Sequence, residues 1–320
     1  LAGLAAMGVA APRIAKASDD YPNRIITIIV PYVAGGPTDA AIRVVTARLG
    51  EALGQQLIIE NVGSAGGTTG TMRVTRAAPD GYTLLAQQTG IATIPGLYPQ
   101  LQIDVVKELQ PIGMINKNYS FLVGRKTLPA NNVAELKAWM LGPGKPAKIG
   151  HPGVGSAGHI TAVMIAQTLG AEVTLVPYRG GAPLMNDLVA GHIDLGSAAS
   201  TLAVEQINAG AIKPFAVGSG KPAHILPNVP NVNDVGLGPI DSVFWQALFA
   251  PAGTPEPIVA KLNAGLRKAL KAPEIQKAYS DTGASTYADD EMTPAFAHAL
   301  VKSEVERITK VVREHNISVK

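Results

Sequence analysis

The chain has 320 residues, enough to bury large cores, and its length favours two α/β lobes over a single domain. Only 16% of residues are charged and the net charge is +3 with no Lys/Arg block, which argues against a nucleic-acid surface. The absence of cysteine excludes disulfides and thiolate metal sites, and 34 glycines with 24 prolines point to many tight βα turns rather than disorder.

Residues 1–17 (LAGLAAMGVAAPRIAKA) resemble the back half of a secretory signal. Residues 1–11 have the length of an apolar h-region, and Ala15-Lys16-Ala17 fits an A-x-A cleavage site. A short core helix is the alternative, but no polar face supports it. The folded body is expected to begin near residues 18–21. No later run approaches the length needed to span a membrane.

Residues 25–43 (IITIIVPYVAGGPTDAAIR) read as strand, glycine loop and helix. The β-branched run suits a strand buried on both faces, and Pro31 ends it. Gly35 and Gly36 permit a sharp turn. Thr38 or Asp39 is placed to cap a helix whose apolar positions Ile42, Val45, Leu49 and Leu53 recur at helical spacing. A helix N-terminus carries unpaired N–H groups and partial positive charge, so this junction is either an anion site or an ordinary capped βα turn.

A second strand is expected at 56–60, a glycine-rich loop at 61–70, a helix from 71, and a third strand at 82–86 after the Pro79-Asp80-Gly81 turn. Gln87, Gln88 and Thr89 follow that strand, where a parallel sheet presents ligand-facing residues, or they form a polar loop. Residues 112–125 hold extended apolar character and read as a first crossover between lobes. The strand–loop–helix design returns at 147–164 (AKIGHPGVGSAGHITAVM), with Gly153, Gly155 and Gly158 in the loop. Two such loops suggest two lobes that each offer a helix N-terminus to one ligand. Strands at 172–177, 192–196 and 212–219 alternate with helices. Residues 242–250 read as the return crossover, followed by amphipathic helices from 256 and over 293–315. Repeated βα units with short loops imply right-handed crossovers and mostly parallel sheets.

Gly153-Val154-Gly155-Ser156-Ala157-Gly158 is a literal G-x-G-x-x-G, but no acidic residue ends a strand about twenty positions on, so a smaller anion than a pyrophosphate fits better. There is no G-x-S-x-G, no H-E-x-x-H and no G-x-x-x-x-G-K-[ST]. Six scattered histidines give no metal spacing. His151 and His159 flank the second loop as pocket or turn residues. Arg179, in the Tyr178-Arg179-Gly180-Gly181 turn, faces either an anion or solvent. Neither loop carries Lys or Arg, so an anion there would rely on backbone N–H groups and the hydroxyls of Thr38 and Ser156.

The segments YPNRIITIIVPYVAGGPTDAAIR, LGQQLIIENVGSAGGTTG, AAPDGYTLL, GVGSAGH, VPYRGGAPLMNDLVAGHIDL and LFAPAGTP resemble the substrate-binding proteins of tripartite tricarboxylate transporters, the Bordetella uptake gene family. The resemblance implies an α/β, two-lobe periplasmic-binding-protein type II fold with mixed, mostly parallel sheets and a two-strand hinge. It places residues 18–118 and 247–320 in lobe 1 and 119–246 in lobe 2. It implies a monomeric receptor in the periplasm, exported by a signal peptide, without cofactor or metal. Its ligand would be a dicarboxylate or aromatic acid, passed to two integral-membrane permease subunits. The implied ligand loops are residues 32–39 and 153–159, with Tyr32 packing over the ligand. Gly36, Thr38 and Asp39 would contact it from one lobe, and Gly153, Ser156, Ala157, Gly158 and His159 from the other. Gln87, Thr89, Tyr178 and Asp194 would complete the site, Asp194 at the ligand's distal end. Gln87–Thr89 depart from the small residues usual there. The alternative is an enzyme, a nucleotide-dependent transferase using the same glycine-loop cleft.

Overall fold

A computed structural model describes residues 20–144, 146–218, 225–237 and 243–318. The signal-like segment 1–17 lies outside the described residues, as do residue 219 of an expected strand and residue 242 of the expected return crossover.

The chain begins with β1 (Ile26–Val30), α1 (Pro37–Leu53) and β2 (Leu57–Asn61). A 3-10 turn at Ala65–Gly67 leads into α2 (Thr68–Thr75) and then β3 (Thr83–Gln88). Short helices α3 (Ile94–Leu97) and α4 (Val105–Glu108) precede β4 (Leu109–Asn118). Then follow β5 (Ser120–Arg125), α5 (Val133–Leu141), β6 (Ala147–His151), α6 (Ala157–Leu169), β7 (Val173–Pro177) and α7 (Gly181–Ala190). Next come β8 (Leu195–Ala199), α8 (Ser200–Asn208), β9 (Ile212–Val217) and β10 (Phe244–Pro251). The chain closes with α9 (Glu256–Leu270), α10 (Pro273–Asp281), β11 (Ala284–Ser285) and α11 (Pro294–Glu314).

These strands form two sheets, in the orders β11-β4-β10-β3-β1-β2 and β7-β6-β8-β5-β9. We refer to each sheet with its helices as a lobe. β1 pairs in parallel with β2 and β3, and β6 with β7 and β8. β10 runs antiparallel to both β3 and β4, and β5 antiparallel to both β8 and β9. Both sheets are therefore mixed, with most strands sharing one direction. The strands that run against it include β5 and β10, the first strand each crossing delivers. The chain crosses outward through Tyr119 alone, between β4 and β5.

The second crossing ends earlier than the sequence suggests. Phe244, Trp245 and Gln246, expected in lobe 2, pair with Asn118, Lys117 and Asn116 in the first sheet. An unbroken apolar run does not mark where travel between sheets stops; only the register does. For the same reason β3 runs on through Gln87 and Gln88, which pair with Ala247 and Gln246. Strand pairing uses backbone groups, so two polar side chains at its end do not stop it.

The first core is built on Ile26, Ile28, Ile29 and Val30, all inaccessible, against α1 through Ile42, Val45 and Leu49. Full burial of such side chains contributes about 1.5–3 kcal/mol each. In the second lobe, separate apolar clusters centre on Phe215 and Leu195, and on Phe121 and Leu184. A smaller cluster joins the lobes: Ile160 on α6 packs with Leu97, Tyr98, Ile308 and Val312.

Candidate functional site

A cavity of ≈ 40 Å³ lies between the two sheets. At about 10–15 Å³ per water position it has room for three or four waters, or for a small organic molecule that displaces them. Its lining comes from the ends of elements. Tyr32, Gly36, Pro37 and Thr38 belong to the turn from β1 into α1, and Gln88 to the end of β3. Pro152, Ala157 and Gly158 belong to the turn from β6 into α6, and Gly180 and Gly181 open α7. Ser197, Ala198, Ala199 and Leu202 carry β8 into α8, while Ser120 and Phe244 begin the crossing strands.

Four helix N-termini thus converge on one small volume. Three of them, those of α1, α7 and α8, have Gly36, Gly180 and Ala199 as N-cap residues and no side chain on their free N–H groups. Only α6 is capped: Ser156 Oγ accepts from His159 N at 3.1 Å. Unpaired first-turn N–H groups and the positive end of the helix dipole favour an anion. Among the described residues, no Lys, Arg, His, Asp or Glu lines the cavity.

Glycines let the lobes meet closely. Tyr98 Oη donates to Val154 O at 2.7 Å, and Thr93 Oγ1 donates to Gly155 O. A Cβ on Gly66 would stand 2.8 Å from Val154 O, and one on Gly155 2.9 Å from Tyr98 Cε2.

Of the residues singled out from sequence, Tyr32, Gly36, Thr38, Ala157 and Gly158 line the cavity. The others serve it indirectly or lie elsewhere. Neither Thr38 nor Asp39 is the cap of α1; both stand in its first turn behind Gly36 and Pro37. The Asp39 carboxylate accepts from Gly35 N and Asn61 Nδ2, each at 2.9 Å, and from Arg43 Nε at 2.8 Å. Burial opposes its ionisation, but the hydrogen bonds from Arg43, Gly35 and Asn61 outweigh that and hold its pKa below the usual carboxylate value. It fastens the first loop and is spent there.

Gln87 lies fully buried behind the cavity, and its amide donates to Thr71 Oγ1 at 3.0 Å. Thr89 faces a neighbouring pocket with Thr93, Ile160 and Arg307. Gly153 takes φ +131° in the second loop and its carbonyl accepts from Ser156 N at 3.0 Å. His159 Nδ1 accepts from Gly155 N at 3.2 Å, and its ring packs on His151 with centroids 4.5 Å apart. Burial, and then His159, push the His151 pKa down to about 4. Tyr178 Oη donates to Asp187 Oδ2 at 2.6 Å, and Arg179 is exposed.

Asp194 corrects the sequence reading most clearly. It precedes β8, pairs with Arg125 at 2.9 Å and accepts from Lys148 N at 3.0 Å, in a surface hollow with Trp139. The cavity takes Ser197, Ala198 and Ala199 from the other end of that strand. Gln88, raised with Gln87 and Thr89 as ligand-facing or loop, also lines the cavity, whereas Ser120, Ser197, Leu202 and Phe244 were not singled out. The signal available for Ser197 was its place two residues before the end of β8, a strand that runs directly into a helix. Ser120 and Phe244 open strands that arrive from the other lobe, and no local motif marks such positions.

Two α/β lobes closed around a cavity built from helix N-termini define a solute receptor of the periplasmic-binding-protein type. Residues 41–317 match the family described as tripartite tricarboxylate transporter family receptor, and the chain belongs to that family. It is 38% identical over 303 residues to a UPF0065 protein of Agrobacterium vitis from the ttuE-ttuC' intergenic region, covering 95% of this chain and 88% of the relative. The solved structure of the periplasmic binding protein BugD is similar at TM-score 0.89 and 33% identity, covering 93% of this chain and all of BugD. MatC of Rhodopseudomonas palustris, solved with malate bound, is similar at TM-score 0.87 and 32% identity, covering 91% of this chain and all of MatC. A further R. palustris protein, solved with adipate, has TM-score 0.87 and 29% identity, covering 94% of this chain and all of its own. The chain is a receptor of this family and not an enzyme, so the transferase alternative falls away.

Proposed function

We propose that this protein is a periplasmic receptor that closes on a short aliphatic acid and hands it to two membrane permease subunits. The observation that carries this reading is the convergence of three uncapped helix N-termini on a cavity without charged side chains. A carboxylate would take its hydrogen bonds from the first turns of α1, α6, α7 and α8 and from the hydroxyls of Tyr32, Thr38, Ser120 and Ser197. Hydrogen bonds to a charged group contribute about 1.5–3 kcal/mol each, and a helix terminus adds about 0.3–1. Micromolar affinity needs about 8 kcal/mol, so three or four such contacts, shared between lobes, are required and are within reach.

The choice of an aliphatic acid over an aromatic one rests on the ligands of similar receptors. MatC, solved with malate, and the adipate-bound protein support that choice of ligand class. Of the described residues, 20–118 with 244–318 form one lobe and 119–144, 146–218 and 225–237 the other, hinged where β4 passes into β5 and where the chain returns to β10. The signal-like residues 1–17 support export to the periplasm. Among the described residues no helix is long and apolar enough to cross a membrane.

The test is a melting-temperature screen with L-malate, succinate, adipate and benzoate, with succinamide as the neutral control. Ligand at 100 times its Kd adds about 2.7 kcal/mol to stability. The short aliphatic acids should raise the melting temperature, and succinamide should leave it unchanged. A shift with succinamide equal to that with succinate, or no shift with any acid, would refute the reading.

A further inference from the structure

Asn116 and Gln246 are completely inaccessible and Asn118 is 4% exposed. None of their amide nitrogens and oxygens has a hydrogen-bond partner among the described residues. The three positions are neighbours. Gln246 on β10 stands opposite Asn116 on β4, and Asn118 lies two residues further along β4, opposite Phe244. Residues directly opposite in an antiparallel pair, and residues two apart on one strand, share a face. All three amides therefore lie on one face of the first sheet. α10 covers that face at Asn116, whose amide stands beside the Tyr279 hydroxyl. That hydroxyl gives its proton to Ala41 O of α1 at 2.9 Å, so it brings the amide no donor.

Pairing among themselves cannot satisfy the three. A primary amide carries two N–H donors and an oxygen with two lone pairs. Even a closed ring, in which each amide donates once to the next, leaves one N–H on every member without an acceptor. Buried amide groups left unpaired are costly, and several together would cancel a large part of a domain's net stability. Buried polar groups without protein partners are as a rule met by ordered water. The groups here are neutral and mix donors with acceptors, which suits water better than a bare ion.

We propose that Asn116, Asn118 and Gln246 enclose a built-in hydration site beside the hinge. Their six amide atoms, at about three hydrogen bonds per buried water, call for at least two waters. The site belongs to the protein and not to the ligand. The cavity's lining includes Gln88 and Phe244, the residues opposite Gln246 and Asn118, but none of the three amides. Its place gives it a use. Asn118 ends β4, Tyr119 makes the crossing and Ser120 begins β5. A water can exchange one amide partner for another as this strand end turns, which a fixed side-chain partner cannot.

The experiment is a high-resolution crystal structure of the wild-type protein, unliganded and with L-malate. Both should show the same two or more waters about 2.7–3.2 Å from the three amides. The unliganded crystal tests the site whatever acid the receptor takes. Amides satisfied without water, a malate oxygen in place of the waters, or waters present with ligand only would overturn the proposal. Gln246→Met and Asn116→Leu nearly keep volume but remove the polar atoms, and give a second readout. If waters hold the amides, neither substitution relieves an unpaired group, so the urea midpoint should stay or fall. A midpoint raised in either variant would mean that the amide is buried unpaired, against the proposal.

Discussion

His151 sits at the end of β6, 1% exposed, with its ring against His159 and its Nδ1 without a protein partner. Its folded pKa of about 4 lies below the ordinary 6.5. Between those values the unfolded chain binds a proton that the folded chain does not. Stability is therefore fully present above 6.5 and is lost as the pH falls towards 4, at up to about 1.4 kcal/mol per pH unit for one group. His151→Asn should flatten that part of the stability curve, read by urea unfolding at a series of pH values. An unchanged slope would mean that His151 does not titrate with unfolding. Asp39 makes a related point about legibility. The sequence showed a carboxylate in the first turn of a helix beside a glycine loop, which equally describes a ligand contact and a loop fastener. Only the partners Gly35, Asn61 and Arg43, the second of them 22 positions away, decide between the two.

Among the elements, α6 differs from the other three helices at the cavity in having a side-chain cap. Ser156 is 1% exposed and bonds to His159 N, so its hydroxyl is committed to the helix. Ser156→Ala should cost about 1 kcal/mol of stability, the usual effect of losing an N-cap, while changing L-malate affinity little. Thr38→Val acts on a lining residue and should show the opposite pattern, weaker binding with the melting temperature nearly kept. Denaturant titration beside calorimetry of both variants checks the pair. Equal effects of the two on affinity would contradict the assignment of Ser156 to the cap. The strand–glycine–helix units were readable because glycine, β-branched runs and helical spacing are local signals. Gln88 was left open between a ligand-facing residue and a polar loop, since a polar residue at a strand end looks the same as the first residue of a loop. Asp194 misled because its neighbours do not say which end of the strand it occupies, and a cleft at the C-terminal ends of strands uses only one of them.

For the whole molecule, closure depends on how near the two loops approach. Gly66 and Gly155 leave space for Val154 O and for the Tyr98 ring across the lobe boundary. Gly66→Ala would set a methyl group 2.8 Å from Val154 O and strain a φ of +63°. The closed form should lose population, and affinity for L-malate should fall about tenfold, the effect of about 1.4 kcal/mol against closure. Small-angle scattering should show the unliganded variant more extended than the wild type. An unchanged radius of gyration with unchanged affinity would mean that this contact does not limit closure. The division into two lobes was legible from the repeated units. The point of return was not, because Phe244–Gln246 continue an apolar run whose pairing with Asn118–Asn116 is a long-range property of the sheet.

The most direct measurement is a crystal structure of the protein with L-malate. A carboxylate should lie between the first turns of α1 and α6, with oxygens about 2.7–3.1 Å from backbone N–H groups and from Tyr32 Oη. Malate seated instead in the neighbouring pocket beside Arg307, or held in the cleft with no helix N-terminus in hydrogen-bonding range, would contradict the account.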